Sequence, residues 1–309
     1  LGQPMTLGLR GADGKQTRIL LDGVPLPDLL GAWVDLSGLP LDFLDRVEVL
    51  RGAASVGAGS GALGGRVDLR TRRLSRTGAF ARLSAGSFGT WSGSAGGVFR
   101  AGDARVLMLA AGLSSAGDFV YPDDRGTPHN PYDDREAVRR NNHARRVGLL
   151  LKMDKSLARG ARLSFLQSLQ VHRRGVAGMS GFTSESAQEW GQISMSHLGL
   201  RLPLGPGSLC VGGDLQFEGR RFEDPEGDLT GVVIDQRQEQ LSKGLSAEYG
   251  WSPRDPLLFR ARLELRHDSL RDGRYGDPAR LGLAWAGTAE WRLYEDGDLL
   301  LSGALRIEQ

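Results

Sequence analysis

The stretch Gly59–Gly64 reads GSGALG, the G-x-G-x-x-G spacing with which a dinucleotide-binding fold brings backbone against a pyrophosphate. That chemistry needs a strand before the glycines, a helix opening within them and an acid about 20 residues on to hold the ribose. Here Val67, Leu69 and Thr71 alternate against Arg66, Asp68 and Arg70. A period of two makes the following element a strand. Around Ser84, at the required distance, no acid stands. Nucleotide chemistry is therefore excluded, and the glycines need another explanation.

Other reactive residue types form no constellation. The five histidines, His129, His143, His172, His197 and His267, include no H-x-x-x-H pair, and Cys210 is the only cysteine. Neither a zinc site nor a disulfide can be built from them by spacing. No G-x-S-x-G nucleophile elbow occurs. Cys210 takes the polar-facing position of its strand pattern and reads as a free thiol. The chain is not expected to be an enzyme. A net charge of +2 gives a nucleic-acid partner no global electrostatic support.

One segment does concentrate chemistry. From Gly117 to Arg146 the chain carries Asp118, Asp123, Asp124, Asp133 and Asp134, then Arg135, Arg139, Arg140, Arg145 and Arg146, with Tyr121, Tyr132 and His129 between. Two readings stand: a ligand-capturing lid, or a solvated loop whose charges pair internally. Asp123, Asp124, Asp133 and Asp134 add a weaker Ca2+ alternative, because that ion takes several carboxylate oxygens. Loops of this length are uncommon without a role.

The elements that must position this loop are strands. Phe259, Ala261, Leu263 and Leu265 alternate with Arg260, Arg262, Glu264 and Arg266; Leu163, Phe165, Leu169 and Val171 oppose Arg162, Ser164, Ser168 and Gln170. Forty-five glycines, about twice the usual share, fit many turns and thin-walled β structure. Tight turns are expected near Arg100–Asp103, Lys155–Gly160, Pro203–Gly207, Ser252–Pro256 and Glu295–Asp298. Long loops are expected at Gly117–Asn142, Arg173–Gly191, Phe222–Asp235 and Arg271–Arg280. No apolar run of 18 residues exists, which excludes a membrane-spanning helix but not a barrel. A soluble sandwich alternates too. Long strands and the alternation of short with long connections favour a transmembrane antiparallel β-barrel.

Residues 1–74 differ, with short strands in Thr17–Leu26 and Asp45–Gly52 and a helical turn around Leu41–Leu44. "LGLRG" (Leu7–Gly11), "TRILLDGVPL", "VDLSGLPLDFLDRVEVLRGAAS" (Val34–Ser55) and "GSGALGGRVDLRT" (Gly59–Thr71) together resemble the plug domain of TonB-dependent outer-membrane transporters, with nearest resemblance to vitamin B12 and siderophore receptors. The resemblance implies a mainly β protein: a plug over residues 1–74 inside a barrel over 75–309. About eleven strands are legible where the family's barrel has 22, so a partial barrel is expected, with the TonB box preceding Leu1. The Gly59–Gly64 glycines would then turn the backbone tightly under the pore.

The same resemblance implies a transporter of the outer membrane, surrounded by its lipid and energised by the inner-membrane TonB complex. Its ligand would be a ferric siderophore, with cobalamin second. Arg10 and Arg51 match the family's plug arginines, expected to face acids of the barrel wall such as Glu218, Glu248 or Glu264. Residues Pro27–Trp33 would form the plug apex. Trp33, Tyr121, Arg125, Tyr132, Arg139 and Arg140 are the expected ligand contacts, because aromatics and arginines give large contact area and charge-assisted bonds. A non-transporting surface-binding or adhesion protein is the alternative, disfavoured because it needs no plug.

Overall fold

The computed structural model describes residues 5–9, 11, 14–28, 34–50, 65–73, 77–127, 129–179, 182–229, 231–252, 257–273, 276–292 and 300–308. Two sheets carry the fold. The smaller one joins β1 (Thr17–Leu21), β2 (Val24–Pro25), β3 (Leu44–Leu50) and β4 (Gly65–Thr71) in the order β2-β1-β4-β3. β1 runs parallel to β4, and the other pairs are antiparallel. The sequence TRILLDGVPL is split by a turn at Asp22-Gly23, where both residues have positive φ. A 3-10 turn at Leu41–Phe43 leads into β3.

The larger sheet is built from consecutive hairpins. Its strands are β5 (Gly78–Gly86), β6 (Thr90–Ala101) and β7 (Ala104–Ser115), then, after a side hairpin of β8 (Val120–Asp123) and β9 (Arg135–Val138), β10 (Ala144–Ser156) and β11 (Arg162–Gly175). A second side hairpin, β12 (Gly178–Met179) with β13 (Phe182–Thr183), precedes β14 (Gln188–Leu204), β15 (Gly207–Asp224), β16 (Ile234–Trp251), β17 (Leu257–Asp272), β18 (Ala279–Arg292) and β19 (Leu300–Glu308). These make eleven antiparallel strands in one sheet, as the alternation predicts. On one rim the connections are tight, as at Gly102-Asp103 and Gly205-Pro206; on the other, apart from the short β5–β6 turn at Ser87–Gly89, they are long and carry both side hairpins. Neither side hairpin is foreseen by the sequence reading.

The large sheet is inside out. Its apolar face is exposed, with Leu83 at 89% and Leu245 at 63%, whereas Gln216, Gln240 and Ser242 on the other face are at 1%, 1% and 0%. A soluble sandwich would reverse this, so the pattern identifies a barrel wall with a polar lumen. Trp251 stacks on Phe259 at 5.5 Å near the tight-turn rim, where an aromatic girdle belongs. No helix among the described residues is long and apolar enough to cross a membrane.

The lumen is occupied by the small sheet. Ile19, Leu21, Val24, Leu39, Phe43, Val67 and Leu69 form one apolar cluster with the lumen-side residues Leu107, Leu109, Leu150, Leu166 and Met195 of the wall. Burying Phe43 fully contributes roughly 1.5–3 kcal/mol. The fit depends on Gly148 of β10, where a Cβ would lie 2.7 Å from Pro40 Cγ and 3.4 Å from Phe43 Cε2.

Candidate functional site: the mouth and the plug–wall joint

The long-loop rim is cross-braced. Phe119, which follows β7, packs edge to face on Phe88 of the β5–β6 turn at 5.8 Å and on Tyr121 at 6.2 Å. The Arg139 guanidinium lies 5.2 Å from the Tyr121 ring centroid, and the Arg139 N–H donates to Phe119 O at 2.9 Å. The Arg139 side chain also donates to the Gly178 carbonyl in the next loop. Arg140 reaches the same loop through Glu185 at 2.8 Å. At the root, Asn141 donates to Ala187 O at 2.7 Å and Asn142 to Gly117 O at 2.9 Å. Gly117 has a φ of +67°, and a Cβ there would meet Asn142 O at 2.3 Å, so only glycine fits.

A third loop joins in, where Asp228 accepts the Glu185 N–H at 3.0 Å. Hydrogen bonds from Ser184 and from the Glu185 backbone hold the Asp228 carboxyl below the usual carboxylate range.

Of the expected ligand contacts, the fold brings Tyr121 and Arg139 together and places Arg140 beside them on the inter-loop bridge. Arg125 and Tyr132 stand exposed toward the loop tip, Tyr132 at 96%. Trp33 lies outside the described residues. The aspartates do not converge on an ion. Asp123 takes Arg135 at 3.3 Å and the Arg125 N–H at 3.2 Å. Asp124 takes the Gly126 N–H at 3.0 Å, and Asp133 takes the Thr127 hydroxyl at 2.9 Å. These carboxylates close turns and pair within the loop.

The grouping of ligand-type atoms that the described residues do contain is elsewhere: Asp35 of the plug with His172 and Glu189 of the wall. Asp35 accepts the N–H groups of Met5 and Ser37 at 3.1 and 2.8 Å. Arg174 lies 2.6 Å from Glu189 and 3.8 Å from Asp35, and His172 is 3.5 Å from Glu189. A guanidinium already stands where a cation would sit. The cluster is a joint between plug and wall.

Further joints follow down the lumen. Arg146 donates to Ser37 O at 2.5 Å. Lys152 pairs with Asp22 at 2.8 Å and donates to the Thr71 hydroxyl at 2.9 Å. Asp22 in turn accepts the Thr71 N–H at 3.0 Å. Gln216 donates to Pro25 O at 2.8 Å and accepts from Arg266 at 3.1 Å. Near the opposite end, Arg82 meets Asp42 at 2.7 Å.

At the ion pairs among these contacts the cation sits on the wall and the acid on the plug, whereas the buried Arg18 of the plug stands in the field of the wall's Glu264 and Asp268. Arg10, Arg51 and the Gly59–Gly64 glycines lie outside the described residues. Glu248 and Glu264 face Arg262 at 3.5 and 2.6 Å, and Glu218 faces Arg220 at 3.6 Å. Cys210 is a free thiol, half-buried, on the strand face shared with Asp214 and Gln216.

A small mixed sheet docked by charge pairs against the inner wall of an inside-out barrel is the architecture of a plugged transmembrane barrel. Residues 2–66 match the TonB-dependent Receptor Plug Domain. Over those residues the chain is similar to the plug domain of TonB-dependent receptors, and its strands have the fold of part of such a barrel. It is 35% identical over 75 residues to the vitamin B12 transporter BtuB of Vibrio cholerae, a match covering 24% of this chain and 12% of that protein.

Among solved structures, the FrpB iron transporter of Neisseria meningitidis superposes with a TM-score of 0.70 at 16% identity, covering 96% of this chain and 51% of FrpB. A variant of the ferric enterobactin receptor PfeA of Pseudomonas aeruginosa gives 0.74 at 13% identity, covering 97% and 50%. The chain thus spans about half the length of these solved relatives. At such identities the likeness is one of fold.

Proposed function

We propose that the chain belongs to an active transporter of the outer membrane that holds a scarce, large ligand at its outer mouth and releases it inward when its plug is moved. The observation that carries this is the plug–wall interface. An occluding domain is held in the lumen by discrete polar joints at Asp35, Ser37, Asp22 and Pro25. Such joints, in a lumen lined by polar groups, exchange partners with water at modest cost, so a directed pull can undo them one at a time. A passive pore has no use for an occluding domain, and an adhesin has none for an obstructed lumen.

The pull is assigned to the inner-membrane TonB complex acting on the plug, and no covalent step is involved. A ferric siderophore is the preferred ligand and cobalamin the second. The mouth offers Tyr121, Arg125, Tyr132, Arg139 and Arg140, a set suited to an anionic aromatic chelate. The test is uptake by cells expressing the complete receptor, with and without a functional TonB complex. Energy-dependent uptake of labelled ferric siderophores is expected. Uptake that persists without the TonB complex, or energised uptake of neither ligand class, would refute the proposal.

A further inference from the structure

The outward face of the barrel carries a second basic surface that the transport site does not use. Along β10 the outward residues Leu151, Leu149 and Val147 end in Arg145; along β11, Leu169 and Val171 end in Arg173. The strand register places Arg173 opposite Trp190, Trp190 opposite Arg221, and Arg221 opposite Arg237. All lie at the long-loop ends of their strands, on the outside of the wall.

Trp190 is held between two cations, with the Arg173 and Arg221 guanidinium carbons 5.2 and 5.3 Å from its ring. Together they line an open groove of ≈ 540 Å³ whose lower edge is Val147, Val171 and Phe217 of the apolar belt. Some of this charge is compensated, since Arg221 pairs with Asp235 and Glu223, and Arg237 with Glu239. Arg173 is held by the neutral Gln188, at 2.6 Å. Arg145 is exposed beside it.

We infer that this groove binds the phosphorylated headgroup of a lipid in the outer leaflet. The inference rests on the outer-membrane reading above. The occupant follows from position and chemistry together. A transported ligand cannot reach the outside of the wall, whereas a lipid whose chains lie along the belt must present its headgroup at this height. Arginines bind phosphate through bidentate forks, and Trp belongs at the boundary of hydrocarbon and headgroup. Exposed apolar residues directly below, such as Val147 and Val171, and ring-held guanidinium groups above suit a molecule that is apolar at one end and doubly charged at the other. The Trp190 ring pre-orders two of the arginines, so less side-chain freedom is lost on binding.

The experiment uses the complete receptor in phosphatidylcholine nanodiscs containing either bisphosphorylated lipid A or its dephosphorylated form. Lipid retained per barrel is read by native mass spectrometry. The wild-type protein should retain the phosphorylated lipid selectively. Arg145→Gln with Arg173→Gln should lower that retention about 25-fold, at about 5-fold per arginine, while Arg159→Gln on the opposite rim leaves it unchanged.

Equal retention of the two lipids would overturn the inference, and so would a double variant that retains lipid as the wild type does. Inorganic phosphate or poly-glutamate competing as tightly as the lipid would overturn it as well, by pointing to a free anion or an acidic protein. Should the double variant fail to fold, the two-lipid comparison on the wild type still decides. A receptor absent from outer-membrane fractions would instead defeat the transport reading, which the nanodisc comparison does not measure.

Discussion

Replacing Lys152 by methionine should loosen the plug without disturbing its internal fold. Lys152 Nζ makes two contacts to the plug, at 2.8 Å to Asp22 and 2.9 Å to Thr71. The Lys152 and Asp22 side chains are 21% and 15% exposed, between the limits for which magnitudes are known. A fully exposed pair contributes about 0–1 kcal/mol, and breaking a fully buried one costs about 3–5 kcal/mol. Charge-assisted hydrogen bonds contribute about 1.5–3 kcal/mol. Asp22 is not orphaned by the change, because the Thr71 N–H and hydroxyl still reach it. Methionine also keeps the apolar stem. A loss of about 2 kcal/mol in docking follows, or roughly 30-fold in the population of released plug.

Native-state hydrogen exchange on the complete receptor reads this directly. Amides of β1 and β4 should exchange about 30-fold faster in the variant through sub-global opening, and amides of β10 and β11 should not change. A change under about twofold, or equal acceleration in wall and plug, would refute the reasoning. A double-mutant cycle with Asp22→Asn should return a coupling on the order of 1–2 kcal/mol.

Cysteines placed at Tyr132, Met179 and Val233 in a Cys210→Ser background should react with impermeant maleimide on intact cells, and one at Arg159 only after the outer membrane is broken; the reverse would invert the topology. Gly148→Val should displace Pro40 and Phe43 and cost about 1–3 kcal/mol of plug docking, measured by the same exchange experiment; unchanged protection would mean that the wall yields instead. Arg139→Ala should weaken ligand binding tenfold or more (about 1.4 kcal/mol or above), because it removes both the Tyr121 contact and the Gly178 bond; undiminished affinity in a binding titration would take that bridge out of the site. The Asp228 carboxyl is held below its ordinary value. Its bracing is therefore fully present above about pH 4 and lost as pH falls through the lowered folded value. Exchange at the Glu185 amide, corrected for intrinsic rate, should rise in that acid window and in Asp228→Asn at neutral pH.

The barrel was legible in the sequence because its signal is local. Period-two alternation in Leu163–Val171 or Phe259–Leu265 specifies both strand and face without reference to any partner. Connection length then separates the rims. The sequence pattern alone could not distinguish lipid-like exposure from a sandwich core; the exposure of Leu83 and Leu245 beside buried Gln216 and Gln240 does. The side hairpins were missed for a physical reason. β12 and β13 are two-residue strands whose placement depends on neighbouring loops, through Arg139 to Gly178 and Asn141 to Ala187, and such contacts leave no periodic trace. The paired charges of the Gly117–Arg146 segment were visible, but their partners were not: Arg140 goes to Glu185, a residue of another loop.

The plug–wall joint was the least legible part, and its chemistry explains why. Lys152 interrupts an apolar run in β10, so its polarity is a visible signal, but only the register fixes that it faces Asp22. Gly148 looks like any other strand glycine until Pro40 is set against it. The two kinds of contact serve opposite demands. Apolar packing of Phe43 and Leu69 on Leu107, Leu109 and Leu150 is non-directional and survives small slides, which keeps the plug seated. The bonds at Asp22, Asp35 and Ser37 have fixed geometry, so they set one resting position, and each can be surrendered to water singly. A plug held only by apolar burial would have no unique register in the lumen. One held only by ion pairs would be weakened by salt, most of all at the exposed Arg82–Asp42 pair. Raising ionic strength should therefore accelerate exchange near Asp42 more than near Lys152, which is the order their exposures dictate.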